Sequence, residues 1–131
     1  MNFLLNKKSD IETSDSPKYL RNHNNCKIQV FGDLIGAIYK GKIFSPDESF
    51  EKICNYKNKD SLTKFLRNLV GKCYVVLENK NKTYFYCSPS SSGLFYSYIN
   101  EKVIITDDES YIYKFADYSQ VNEIALFNTI V

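Results

Sequence analysis

The fold is decided by residues 71–108, which read GKCYVVLENKNKTYFYCSPSSSGLFYSYINEKVIITDD. Four short apolar runs follow one another there, and each is broken by a turn. Cys73, Val75 and Leu77 alternate with their neighbours, which is the period of a β-strand. Thr83 to Cys87 is rich in β-branched and aromatic residues, which favours a second strand.

Polar turns join these runs in pairs. Residues 79–82 link the first two strands, and Asn100-Glu101 links Leu94–Ile99 to Lys102–Thr106. This spacing predicts two successive β-hairpins. Because the strands are too apolar for both faces to meet water, the hairpins need a partner layer.

The rest of the chain predicts helices and one long loop. Ser45-Pro46-Asp47-Glu48 is typical of a helix start with a capping box. Asp60-Ser61 opens a second predicted helix, which Gly71 ends, and its apolar stripe is Leu62, Phe65, Leu66, Leu69 and Val70. Residues 7–27 are polar and indicate a loop with the composition of disordered segments. A short helix after Asp107-Asp108 and a last helix over residues 119–131 complete the prediction.

The stretch resembles the end of the glutaminase domain of asparagine synthetases and their relatives, the class II glutamine amidotransferases. That family has a strand of the form G-x-F-A, a hairpin, R-D-x-x-G-x-x-P-L-Y-Y, another strand, and S-S-E or D-D. Gly71 to Tyr74 matches the first piece, Cys87 to Ser97 the second, and Thr106 to Asp108 the last. Within the second piece, Cys87, Ser88 and Ser91 replace the Arg, Asp and Gly. The resemblance covers roughly residues 28 to 131.

The resemblance implies a fold, a partner and a chemistry. The expected fold is α/β (α+β), a four-layer αββα N-terminal-nucleophile (Ntn) hydrolase sandwich formed by residues 1–131 as a single domain. The implied partner is an ATP-using, amide-forming synthetase domain or protein, covalent or separate, and the helix over residues 119–131 would lead towards its linker. The family's nucleophile is a first-residue Cys whose own amino group acts as the base.

This chain departs from the family at each catalytic position. Asn2 follows Met1, so a nucleophilic side chain is missing there. The hairpin that supplies the oxyanion donor reads Lys40-Gly41-Lys42, without the Asn amide. Asp60 is the only candidate for the acidic group that holds the glutamine amino group, and a helix cap explains it as well. We therefore expect a catalytically silent glutaminase-like domain with a structural or partner-binding role.

Two other functions stay open. Processing after Asn25 would expose Cys26 as the first residue, and a hydrolase could also pair Cys26 with His23. A third hypothesis is a free-standing interaction module that pairs through an exposed sheet edge.

Composition limits the remaining functions. The 131 residues carry 17 basic and 15 acidic side chains and a net charge of +2, which gives no support for a nucleic-acid surface. Four cysteines without C-x-x-C spacing and one histidine predict no metal site and no cofactor. Neither a signal peptide nor an apolar run of membrane-spanning length is visible. Unpaired thiols then favour a cytoplasmic location.

Overall fold

The computed structural model describes residues 1–5, 11–23, 25–79, 82–91, 93–99, 102–114 and 125–127. Numbered along the chain, its strands are β1 Asn2–Leu5, β2 Ile11–Glu12, β3 Tyr19–His23, β4 Cys26–Gly32, β5 Gly36–Tyr39, β6 Lys42–Phe44, β7 Leu69–Val70, β8 Cys73–Glu78, β9 Thr83–Cys87, β10 Leu94–Ile99, β11 Lys102–Thr106 and β12 Ala125–Phe127. The helices are α1 Pro46–Asn55, α2 Lys59–Leu66 and α3 Glu109–Tyr113.

The chain divides into two compact units. One contains the antiparallel sheet β12-β10-β11-β1-β2 together with α3. Its core includes Phe3, Leu94, Ile104 and Ile112, each fully buried. The prediction that residues 1–131 form a single domain stays a prediction.

The second unit holds two sheets and the two longer helices. Its four-stranded sheet has the order β3-β4-β8-β9, and its three-stranded sheet the order β6-β5-β7. Val30 and Val75 of the first sheet, Leu69 of the second, and Ile53 and Phe65 of the helices belong to one buried cluster. The helices therefore share a core with both sheets of their unit.

Several elements that the local sequence predicts are present in the structure. The four strands predicted between Cys73 and Thr106 are confirmed, in the pairs β8–β9 and β10–β11. Ser45 caps α1 with the complete capping box to Glu48. Asp108 caps α3 by accepting a hydrogen bond from the backbone N–H of Ser110.

The predicted αββα Ntn-hydrolase sandwich is wrong, because the described chain is β-rich. Twelve strands in three sheets stand against three short helices within the described residues. A four-layer sandwich needs a helical layer on each of its two sheets, whereas among the described residues of its unit the five-stranded sheet has only the five-residue α3. Some residues that were predicted to form the helical layers lie in strands instead.

Three segments show this change from helix or loop to strand. The predicted loop at residues 7–27 contains β2, β3 and the start of β4. At the end of the chain, residues 125–127 of the predicted 119–131 helix pair with β10, and the other residues of that prediction lie outside the described chain. Finally, α2 ends at Leu66, and Leu69–Val70 form β7 against β5. Gly71 therefore follows a strand and does not end a helix.

Candidate functional site

The position that corresponds to the family's nucleophile is held inside a sheet. Asn2 lies in β1 opposite Thr106, and its side-chain oxygen accepts a hydrogen bond from the Thr106 hydroxyl. Its backbone N–H donates to a carboxylate oxygen of Asp15 at 3.1 Å. An amide side chain that is paired in this way is neither a nucleophile nor a base. The geometry therefore gives Asn2 a structural role within the sheet.

The structure does bring the alternative pair, His23 and Cys26, together. They are cross-strand partners at the end of the β3–β4 hairpin and line the same cavity. Burial raises the pKa of the Cys26 thiol, and the nearby Glu78 carboxylate raises it further. Because the thiolate is the nucleophilic form, this environment opposes reactivity at neutral pH.

Cys26 also lies within a regular hairpin. Asn25, which precedes it, has a φ of 63°, and Cys26 itself is the first residue of β4. Asparagine tolerates this left-handed conformation better than most residues, so it suits the turn that joins β3 to β4. The local sequence is thus accounted for by the hairpin itself.

Asp60 lies in the first turn of α2, but another residue caps the helix. The Asn58 side chain accepts hydrogen bonds from the backbone N–H groups of Asp60 and Ser61, at 2.8 Å and 3.3 Å. Asp60 is exposed, and an acidic residue in a first turn is stabilised by the helix dipole. This role explains Asp60 without a substrate.

Lys40 and Gly41 form the turn between β5 and β6. Both have positive φ, 51° and 75°, which is the conformation of a type I′ hairpin turn. The Lys40 ammonium lies 5.2 Å from the centre of the Tyr39 ring, within the range of a cation–π interaction. The hairpin presents a positive charge at its tip.

The outer face of this small sheet is the feature that the sequence analysis missed. Ile38 and Ile43 are directly opposite each other, and they are 56% and 78% exposed. On the other side of β5, Val70 pairs with Gly36 and is 38% exposed. We name Ile38, Ile43 and Val70 the outer patch. Its signal was available in the sequence, since a two-residue turn at 40–41 makes residues 38 and 43 partners.

Cations border the outer patch. Lys40 lies at the hairpin tip, while Arg67 and Lys72 lie just before and just after β7, and all three are exposed. Two exposed carboxylates lie nearby. They are Asp33, whose backbone N–H donates to the Lys72 carbonyl at 2.8 Å, and Glu48, in the capping box that follows β6. The patch thus combines an apolar centre with flanking residues, along the chain, that are mainly positive.

Comparisons with known proteins do not place the chain in a family. No protein-family model matches the sequence, and no curated protein or solved structure matches it. The described residues contain no group of three histidine, cysteine or acidic side chains able to hold a metal ion. Nor does any described helix have the length and hydropathy to cross a membrane.

Proposed function

We propose that this chain is a catalytically silent, partner-binding module that docks through the outer patch. The observation that carries the proposal is the exposure of Ile38 and Ile43 side by side on a regular sheet face. Single exposed apolar residues are common on protein surfaces, whereas contiguous groups of them often mark interaction sites. Covering three branched aliphatic side chains would supply the apolar centre of an interface.

The partner is expected to carry an apolar surface with acidic residues around it. Lys40, Arg67 and Lys72 would face that acidic border, and such complementary charge favours correct orientation and fast association. A second copy of the chain would instead bring like charges together, so a different protein fits better.

The sequence resemblance supplies the partner's class, an ATP-using, amide-forming synthetase domain or protein. This assignment rests on residues 71–108 and not on the shape of the fold. Two further expectations belong to the proposal, namely a cytoplasmic location and no nucleic-acid or membrane partner. All four cysteines are free thiols, which is the usual state of cytoplasmic cysteines.

Binding to the synthetase encoded nearest to this protein's gene tests the proposal. The full chain, its Ile43→Lys variant and its Leu20→Lys variant would be titrated into that synthetase by calorimetry. Leu20 is a matched control, since it is an exposed aliphatic residue on β3, away from the outer patch. A charge placed in an apolar interface centre should weaken binding at least about tenfold, whereas Leu20→Lys should leave affinity within about twofold.

Equal binding by all three proteins would remove the outer patch as the docking surface. No binding even by the unaltered chain would overturn the assignment of a synthetase partner. Sedimentation of the chain alone tests whether a second copy of the chain occupies the outer patch. A concentration-dependent dimer that Ile43→Lys abolishes would show that the patch joins two copies.

We expect the pure protein to release no ammonia from glutamine above a blank. The reason is the hydrogen-bonded Asn2 at the nucleophile position and Lys40 in place of the oxyanion donor. The measurement is a coupled ammonia assay, with Cys26→Ala as the matched variant. Steady release that Cys26→Ala abolishes would establish the hydrolase hypothesis instead.

A further inference from the structure

The cavity lined by His23 and Cys26 lies in the same unit as the outer patch, on the helix side of the β3–β4 hairpin. It is a cavity of about 440 Å³ between the end of β3, the start of β4, the last turn of α1 and the start of α2. Small-molecule sites in proteins usually fall between roughly 300 and 1,000 Å³. At about 30 Å³ per water-sized group, the space accommodates a compound of about 15 non-hydrogen atoms.

The floor of the cavity is aliphatic and rigid. Ile28, Ile53 and Leu62 line it, and each is less than 8% exposed because the rest of the side chain belongs to the core of the unit. Side chains held by core packing leave a preformed apolar surface. An apolar group that enters the cavity is therefore stabilised without reordering the protein.

The mouth of the cavity favours a negative charge. Lys57 is the permanently charged residue in its lining, where the Asn55 amide adds a group able to donate hydrogen bonds. Among the described lining residues there is no carboxylate. Two carboxylates lie nearby, and both have partners. Glu51, on the neighbouring helix surface, is paired with both terminal nitrogens of Arg21, and Glu78, which lies near Cys26, accepts a hydrogen bond from the Gln29 side chain at 3.0 Å.

Two cysteines in the lining of this cavity allow its occupancy to be measured. Cys26 and Cys54 line it and are partly exposed, whereas Cys73 and Cys87 are 0% and 2% exposed in the core. A thiol reagent applied to the folded protein should therefore modify the two cavity cysteines and spare the other two. Their rate of modification reports directly on whether the cavity is occupied.

We propose that this cavity binds a small amphipathic anion, an alkyl or aryl carboxylate. The apolar tail would lie on Ile28, Ile53 and Leu62, and the carboxylate would lie at the mouth beside Lys57. This site is separate from the outer patch and does not depend on the proposed partner.

The test compares three probes that share one chain and differ in the charge of the head group. Octanoate, octan-1-ol and octylamine would each be added to the full protein before 4,4′-dithiodipyridine, a reagent without charge at neutral pH. The concentration that halves the modification rate of Cys26 and Cys54 is measured for each probe. Octanoate should protect at a concentration at least fivefold below that of octylamine, with octan-1-ol between them.

Variants then assign the head-group preference to one residue. Lys57→Gln should raise the half-protecting concentration of octanoate about two- to fivefold, the size of an exposed ion pair, and should leave that of octan-1-ol unchanged. Lys64→Gln is the matched control, because Lys64 is an exposed lysine of α2 that does not line the cavity, and it should change neither value.

Three results would overturn the proposal. One is the absence of protection by octanoate, and another is equal protection by octanoate and octylamine. The third is modification of all four thiols in the presence of octanoate, which would mean that the probe unfolds the protein and that no preformed site holds it.

Discussion

The two faces of the three-stranded sheet are equally apolar in sequence but opposite in environment. On the inner face, Ala37 and Leu69 are 1% and 5% exposed. On the outer face, Ile38 and Ile43 are more than half exposed. Consecutive residues of one strand thus lie on opposite sides of the sheet, as strand geometry requires.

The difference between the faces lies in what covers them. Phe65 of α2 packs beneath the inner face, where its ring lies edge-on to Tyr39 at 5.5 Å and to Phe44 at 5.6 Å. Hydrophobic side chains stabilise a fold only by leaving water, so the inner residues contribute to the free energy of unfolding and the outer ones contribute little. An apolar face that does little for stability is available for binding.

Truncation of Phe65 should give the largest effect. Phe65→Ala removes a fully buried ring and leaves a cavity between α2 and the sheet, which should lower the free energy of unfolding by about 3–5 kcal/mol. Leu66→Ala, also fully buried, should cost about 2–5 kcal/mol. Urea titration followed by circular dichroism measures both changes.

The matched control for these variants is Ile43→Ala on the outer face. Its expected change is within about 0.5 kcal/mol, as for most surface substitutions. If Ile43→Ala destabilised the protein as much as Phe65→Ala, the outer face would be covered in the folded chain. The docking surface would then be lost along with the contrast between the two faces.

The four thiols also differ in burial, since Cys73 and Cys87 are buried and Cys26 and Cys54 are partly exposed. The pH dependence of stability tests this difference. Burial raises the pKa of both the Cys73 and the Cys87 thiols to about 11. In the unfolded chain these thiols ionise at about pH 8.5. The stabilisation is therefore complete below about pH 8.5 and is lost as the pH rises towards 11, by roughly 3 kcal/mol per thiol before their mutual coupling is counted.

Urea midpoints measured at pH 8 and pH 10.5 check this expectation. The Cys73→Ala variant should lose less stability between these pH values than the unaltered protein, because one ionising group is gone. Cys54→Ala is the control, because the Cys54 side chain is only partly buried. An identical loss in the Cys73→Ala variant would mean that other groups, such as tyrosines and lysines, cause the fall.

Local signals were sufficient for much of the fold. The capping box at Ser45 and Glu48 and the alternation from Cys73 to Glu78 depend on neighbours within a few residues, and both formed as predicted. The Asn79 side chain likewise accepts a hydrogen bond from the Lys82 N–H in the predicted turn. Such features need no knowledge of the rest of the chain.

Elements whose type is set by distant contacts could not be predicted in this way. Leu69 and Val70 continue the helical spacing of Leu62 and Leu66, yet they pair with β5 because a strand lies beside them. Tyr19 to His23 is polar in sequence and becomes a strand by pairing with β4. A pairing partner thus overrode the local pattern in both cases, and it changed a predicted helix end into β7 and a predicted loop into β3.

The candidate site was predictable only in part, for a similar reason. The sequence predicts the turn at Lys40 and Gly41, but the exposure of the isoleucines on either side of it depends on what the rest of the chain covers. Cys26 and His23 are close in sequence and lie opposite each other in the hairpin, whereas Cys54 joins them in one cavity only through the packing of α1 on the sheet. Which apolar side chains stay exposed depends on what the whole chain covers.

The smallest expected effect concerns Lys40, at the tip of the hairpin that carries the outer patch. A lysine at a φ of 51° is in a conformation that side chains other than Asn, Asp and Gly rarely adopt, and Asn-Gly is the preferred sequence for this turn. Lys40→Asn should therefore stabilise the protein by about 0.5 kcal/mol, after the loss of the Tyr39 cation–π contact is subtracted. Thermal unfolding of the variant measures this gain.

The same variant distinguishes a turn selected for folding from one selected for binding. Lys42→Asn is the control, since Lys42 lies in β6 and not in the turn, and it should bring no gain in stability. If the positive border serves the partner, Lys40→Asn should also weaken synthetase binding about two- to fivefold, the size of one exposed ion pair. If Lys40→Asn stabilised the hairpin and left the affinity for the synthetase unchanged, only the apolar centre of the outer patch would contribute to docking. A less stable hairpin would mean that the cation–π contact outweighs the backbone strain, and that Lys40 is there for the fold.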